Sequence, residues 1–177
     1  DVRQAAYWAL LAGACGHTYG NHSIWQMWEA GRDAIVSPCV PWREALDHPG
    51  AFQMGLLRRL FESRPWQTLV PDPAILLDSP SGPGERVRAA RAADHAFAFI
   101  YSPRGMPFTV RMDVIHPQRV KACWFDPRYG ATDLAYDCDS PGIQTFAPPT
   151  SGCGRDWLLI LEDPARATKA PGGVARG

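Results

Sequence analysis

The hydrophobic pattern changes period once along the chain. Val2, Ala5, Ala6, Ala9, Leu10 and Gly13 recur at the i, i+3, i+4, i+7 spacing of a buried helical stripe. The stripe is made mostly of small residues, which lets the helix lie close to a neighbour. "GACGHTYG", residues 13–20, then reads as a short strand or its exit, with glycines where the backbone turns sharply or approaches another segment. After a long loop, Pro49 suits the first turn of a second helix, in which Phe52, Leu56 and Leu60 form one apolar row beside Met54, Leu57 and Phe61. Arg58, Arg59 and Arg64 lie toward its carboxy end, where cations complement the helix dipole, and Pro65 stops it.

From about Pro71 the period is two. Phe97, Phe99 and Tyr101 alternate with Ala96, Ala98 and Ile100. Phe108, Val110, Met112 and Val114 alternate with Thr109, Arg111 and Asp113, the mark of a strand with one wet face. Residues 120–125 and 157–161 read as further strands. Turn chemistry separates them: "SPRG" at Ser102, "HPQ" at His116, "DPRYG" at Asp126, "DSPG" at Asp139 and "PPTSGCG" at Pro148. Short strands broken this often predict a small antiparallel β-sandwich. "LLDSPSGPGER", residues 76–86, is the natural joint between the two regions.

Helix, short strand, long loop and helix make one unit of an α/β repeat, which cannot stand alone. Its strand needs neighbours for its backbone hydrogen bonds and cover on both faces. Five of the seven tryptophans fall before residue 67, a large apolar surface for so few partners. The chain also starts at Asp1, already in helical pattern, with no signal peptide ahead of it. The expectation is a carboxy-terminal piece, whose missing partners are amino-terminal residues of the same polypeptide. Residues 164–177, ending in the Gly/Ala/Pro-rich "ATKAPGGVARG", are expected to be a disordered tail.

Composition narrows the function. Acidic and basic residues balance at 18 each, so no electrostatic footprint for nucleic acid exists and no polybasic patch for a membrane. The longest apolar run, residues 5–15, is too short to span a bilayer, and a soluble protein follows. The five cysteines include no CxxC pair, and Cys138 and Cys153 lie in loop-like sequence, free to pair were the protein exported.

The densest candidate chemistry is "GHTYGNHSIWQMW", residues 16–28. Polar-tipped rings in an irregular stretch are either packing trim or the wall of a site. His17 and His22 with Cys15 and Cys39 match no zinc spacing, so no metal and no cofactor is expected. Histidines bonded to nearby backbone remain the plain alternative to ligand contact. Cys15, His17 and Asn21 have the residue types of a thiol hydrolase, but Cys15 lies among glycines rather than at a helix amino end that would activate it. Trp124 and Phe125 read as sandwich core in preference to a binding platform, Asp156 as fixing a turn in preference to binding calcium, and Asp137–Asp139 as a solvated turn.

"AAYWALLAGACGHTYGNHSIWQMW" resembles the end of the catalytic barrel of the apiosidase-like glycoside hydrolases. "IYSPRG", "KACWFDPRYG", "FAPP" and "DWLLILE" resemble the all-β domain that follows it, which bears the label "putative collagen-binding domain of a collagenase". The resemblance implies an α/β plus all-β chain. Residues 1–70 would be the last helix–strand–helix portion of a (β/α)8 barrel, and residues 71–163 an accessory β-sandwich. The segment before His17 becomes the eighth barrel strand, and the loop after it belongs to the active face. His17, Tyr19, Asn21 and His22 would then offer hydrogen bonds to sugar hydroxyls, while Trp25 or Trp28 stacks on a sugar ring face.

Glycoside hydrolysis needs two carboxyl groups, and the resemblance places them on earlier strands. Glu29 and Asp33 are the carboxylates of this loop, and a surface or capping role suits them better than catalysis. The expected function is therefore a carboxy-terminal part of a glycoside hydrolase acting on plant-type polysaccharide side chains, which supplies part of the substrate wall. The whole protein would be secreted or periplasmic, with a carbohydrate as its partner. The alternative is a non-catalytic module that binds polysaccharide or collagen.

Overall fold

A computed structural model describes residues 2–115, 118–140 and 142–166. Among them are four helices: α1 (Val2–Leu11), α2 (His22–Trp25), α3 (Trp42–Ala45) and α4 (Pro49–Glu62). Nine strands follow: β1 (Leu69–Pro71), β2 (Leu76–Asp78), β3 (Arg88–Ala92), β4 (Phe97–Ser102), β5 (Phe108–Arg111), β6 (Arg119–Phe125), β7 (Thr132–Asp139), β8 (Ile143–Phe146) and β9 (Trp157–Glu162). They form a six-stranded sheet of order β1-β3-β4-β9-β6-β7 and a three-stranded sheet of order β2-β5-β8, with every pairing antiparallel. The fold is thus mixed helix and sheet.

The large sheet is buried on both faces, and the period-two pattern decides which core each residue joins. Ala98 and Ile100 of β4, Trp124 of β6 and Leu159 and Leu161 of β9 enter the core between the two sheets. Phe97, Phe99, Tyr101, Phe125 and Ile160 enter a second core beneath α1 and α4. Trp124 and Phe125 are therefore core residues on opposite faces, as expected, and neither offers a surface platform. β5 keeps one wet face, with Phe108 and Val110 buried and Arg111 exposed.

Both long helices stand where their signals put them, and Pro49 is in the first turn of α4. Their buried faces differ from the expected ones. α1 buries Ala6, Tyr7 and Leu11, while Ala5 of the small-residue stripe faces solvent. Burial free energy scales with apolar area, so Tyr7, stacked on Tyr101 at 4.6 Å between ring centroids, sets the rotation of the helix in preference to alanines. In α4 the buried row is Leu57, Leu60 and Phe61, the last edge-on to Phe99, and Phe52 is 65% exposed. Residues 14–21 form no strand with any described segment. A strand exists through its neighbour's hydrogen bonds, and none of the described strands runs beside this one.

Two ion pairs fasten the helices to β9. Arg3 of α1 donates Nε and Nη2 to both oxygens of Asp156 at 2.8–3.2 Å and Nη1 to Oε1 of Gln53 in α4, while the Tyr101 hydroxyl donates to Asp156 at 3.0 Å. Asp156 thus joins α1, α4 and β4 across the interface, a larger part than the turn expected of it. At the other end of β9, Arg64 donates to Glu162 at 2.7 Å, with the two side chains 2% and 7% exposed. Arg64 is therefore an interior cation rather than one serving the helix dipole.

Three smaller expectations also change. Asp137–Asp139 belongs to β7, where Asp137 pairs with Arg119 across the strands. Cys138 is buried in the inter-sheet core and Cys153 is on the surface, both as free thiols, so the pairing they were free to make does not occur. Pro164–Arg166 forms a 3-10 turn, with Arg166 bonded to Asp94, and the rest of the expected disordered tail lies outside the described residues.

Two turns require glycine. Gly105 (φ +60°) lies against the backbone carbonyls of Thr150 and Arg155, leaving no room for a Cβ. Gly130 (φ +75°) closes the "DPRYG" turn on the Asp126 carbonyl and rests on Leu56 of α4. The β6–β7 hairpin therefore docks on the helical layer through a position only glycine fills without strain.

Removing one partner of a buried pair leaves the other charge uncompensated, which costs about 3–5 kcal/mol. Glu162→Ala should lose that much in urea unfolding, while Asp137→Ala in the exposed pair with Arg119 should lose less than about 1 kcal/mol. Burial also raises the Cys123 thiol to about 11 and the Tyr136 phenol to about 12, and it pushes Tyr7 and Tyr101 upward. Their neutral forms favour the fold, so their contribution is complete below about pH 9 and disappears as pH rises through the folded-state values. The melting temperature should fall steeply between about pH 9 and 12, and a flat profile there would contradict this packing.

Candidate functional site

The loop from residue 12 to 48 is tied together by side chains rather than by regular structure. Asn21 caps α2: its backbone is extended, its Oδ1 accepts from the Ser23 amide at 3.0 Å, and its Nδ2 stands 3.4 Å from Nδ1 of His48. Gln26 is the hub of the next stretch. Its Nε2 donates to the carbonyls of His22 and Val36 at 2.8 and 2.7 Å, and its Oε1 accepts from the Ile35 amide at 2.8 Å. Beyond it, Trp28 donates its indole N–H to the Arg32 carbonyl, and Trp42 donates to Glu29, which also pairs with Arg43. Met27 takes a left-handed backbone (φ 49°), an uncommon conformation for a residue with a side chain. Three hydrogen bonds from its neighbour Gln26 hold the stretch around it.

This network displays Trp25 at the end of α2, where it is 54% exposed. Its exposed ring face is open to contact with another apolar face. His22, in the first turn of α2, is also exposed.

A groove of about 310 Å³ runs between residues 15–19, the end of α1 and α4, with His17, Tyr19, Met54, Phe61 and Trp66 among its walls. Tyr19 packs on Gly50 at the start of α4, where a Cβ would approach the ring to 3.0–3.3 Å, so Tyr19 is anchored while His17 stays exposed. The predicted contact residues thus divide. His17 and Tyr19 share the groove, and Asn21, His22 and Trp25 lie along α2 just past it.

Two carboxylates of this region already have partners. Glu29 serves Trp42 and Arg43, and Glu62 at the groove pairs with Arg58 at 2.7 Å. Asp33 is exposed on the loop. Among the described residues, no group of three or more His, Cys, Asp or Glu side chains stands where it could hold a metal ion. No helix there is long and apolar enough to cross a membrane. Sequence reasoning missed Gln26, because a lone glutamine in a loop carries no periodic signal. The one available hint was an irregular, tryptophan-rich stretch whose backbone groups needed partners from somewhere.

The chain is similar to known proteins in fold and in sequence. Two solved structures superpose on 94% of the chain with a TM-score of 0.87. One is described as "Glycoside hydrolase", at 29% identity, and the other is a glycoside hydrolase family 5 protein from Bacteroides vulgatus ATCC 8482, at 28%. The chain spans 37% and 36% of their lengths, little more than a third. No curated protein matches it. The fold is thus similar to that part of these glycoside hydrolases. Residues 1–68 match the apiosidase-like catalytic domain, and through residues 70–162 the chain belongs to the family described as "Putative collagen-binding domain of a collagenase".

Gln26→Ala removes three hydrogen bonds that order residues 22–36 while touching neither core. Limited proteolysis should cut this loop several-fold faster in the variant, and the global unfolding free energy should change by less than about 1 kcal/mol. A large global loss would make Gln26 part of the fold itself.

Proposed function

We propose that the chain is the carboxy-terminal part of a glycoside hydrolase acting on plant-type polysaccharide side chains, and that it supplies substrate wall and support to a catalytic centre completed by other residues of the same polypeptide. Residues 1–70 contribute the last helix–strand–helix portion of a (β/α)8 barrel, and residues 71–163 an accessory β-sandwich. The observation that carries this reading is the correspondence of nearly the whole chain to about a third of two glycoside hydrolases. The unpaired segment 14–21 supports it, since a barrel strand finds its hydrogen bonds on neighbouring strands. Two facing antiparallel sheets around one core support the sandwich. Plant-type specificity rests on the apiosidase-like match, and secretion or periplasmic export on the substrate class.

The chemistry sets the division of labour. Cleavage of a glycosidic bond needs one protonated carboxyl group and one nucleophile or base. The groove presents a single carboxylate, Glu62, and that one is engaged by Arg58. In this reading the chain binds and the rest of the protein cleaves. His17 and His22 offer hydrogen bonds to sugar hydroxyls, Trp25 stacks on the ring, and Tyr19 and Asn21 position them through Gly50 and the α2 cap.

Trp25→Ala in the complete enzyme should raise KM for the polysaccharide roughly five- to tenfold, the loss of one ring contact of about 1 kcal/mol, with the melting temperature nearly unchanged. A drop in melting temperature of several degrees, or an unchanged KM, would remove Trp25 from the substrate wall. Retention of the complete protein on collagen, with no activity on any polysaccharide, would replace the hydrolase reading with a binding module.

A further inference from the structure

The inward-facing arginines of this fold follow a rule that one of them breaks. Arg3, Arg64, Arg91 and Arg128 each meet a carboxylate: Asp156, Glu162, Asp72 and Asp126. Arg88, at the start of β3, is half-buried, and its Nε is shielded from solvent with no hydrogen-bond acceptor. Among the described residues it forms no ion pair. No nitrogen of this guanidinium meets a protein acceptor among the described residues, so its charge lacks the counter-charge that the other four have.

Arg88 lines a cavity of about 480 Å³ between the end of α1, the β1–β2 connection and the loop leading into β3. Arg86, Ser79 and Ser81 line it too, and no acidic side chain does. Pro73 and Leu76 give it an apolar flank. The wall is fixed from outside. Gln4 and Trp8 of α1 donate to the carbonyls of Gly84 and Arg86 at 3.1 and 3.0 Å, and the Val87 amide donates to the Pro80 carbonyl at 3.3 Å. The backbone that carries both arginines is thus set before any ligand arrives.

The geometry points to a binding site for a carboxylate-bearing sugar unit, a uronic acid, in this cavity. A planar guanidinium matches a carboxylate with two parallel N–H···O bonds, and Arg86 adds a second cation at the exposed side. The serine hydroxyls suit ring hydroxyls, and the proline and leucine surface suits the apolar face of a pyranose. The volume accommodates a disaccharide. The site shares no lining residue with the groove of His17, so it stands apart from the hydrolase reading.

Calorimetric titration of the full chain with cellobiouronic acid, beside neutral cellobiose, tests it. The acid should bind and the neutral sugar should bind at least tenfold more weakly, with affinity falling as salt rises. Arg88→Gln should abolish measurable binding of the acid, and Arg86→Gln, at an exposed position, and Ser79→Ala should each weaken it several-fold, which keeps the test open if Arg88→Gln fails to fold. Equal binding of acid and neutral sugar would overturn the proposal, as would undiminished binding by the Arg86→Gln/Ser79→Ala double variant. Displacement of the acid by an equal concentration of inorganic sulfate or of a triaspartate peptide would overturn it as well, since either would reduce the site to a general anion or peptide contact.

Discussion

Two charge pairs at the ends of one strand hold the two halves of this protein together. Asp156 and Glu162 bracket β9, and each receives an arginine from the helical layer. β9 is also the middle of the large sheet, hydrogen-bonded to β4 on one side and β6 on the other. Apolar burial between helices and sheet supplies most of the attraction, but it is non-directional and would allow the layers to slide. The ion pairs fix the register. Tyr7 stacked on Tyr101, and Gly130 beneath Leu56, are placed by that alignment.

The loop over α2 and α3 is built on another principle. It has little core of its own, and side chains such as Asn21, Gln26 and Trp28 satisfy its backbone instead. Such a loop can hold rings outward without collapsing onto them, which is what a wall for a sugar requires. The helices beneath it stay fixed by the sheet. In the proposed reading stability and recognition fall to separate segments, so one can vary with little effect on the other.

Much of the fold was legible in the sequence. Helix spacing with Pro49 and Pro65 located α4, and alternation located β4, β5, β6 and β9, because both are local signals, while β1, β2, β3, β7 and β8 carry too short or too polar a pattern to be read that way. The face each helix buries was not legible, since Tyr7 outweighs the alanines only once Tyr101 is known to lie opposite. Arg64 and Asp156 were misread for the same reason: each is explained by a partner far along the chain. Of the candidate site, the aromatic loop itself was visible, and so were His17 and Trp25. The roles of Tyr19 and Asn21 in packing and capping depended on Gly50 and Ser23, which no spacing rule connects to them. Gln26 and the unpaired Arg88 gave no sequence signal, because both are defined by what surrounds them in space.

The position of β9 in the sheet has a consequence for synthesis. The strand that joins the two halves of the large sheet is the last in chain order among the described residues. Within these residues α1 leaves the ribosome before any strand of the sheet, yet the surface that α1 covers is incomplete until residues 157–162 have emerged. Until then β3–β4 and β6–β7 exist at most as separate hairpins with apolar edges open to the solvent. Helices α1 and α4 thus lack a complete sheet beneath them until β9 has emerged. Nascent-chain quality control would see the greatest exposure of this sheet just before β9 appears.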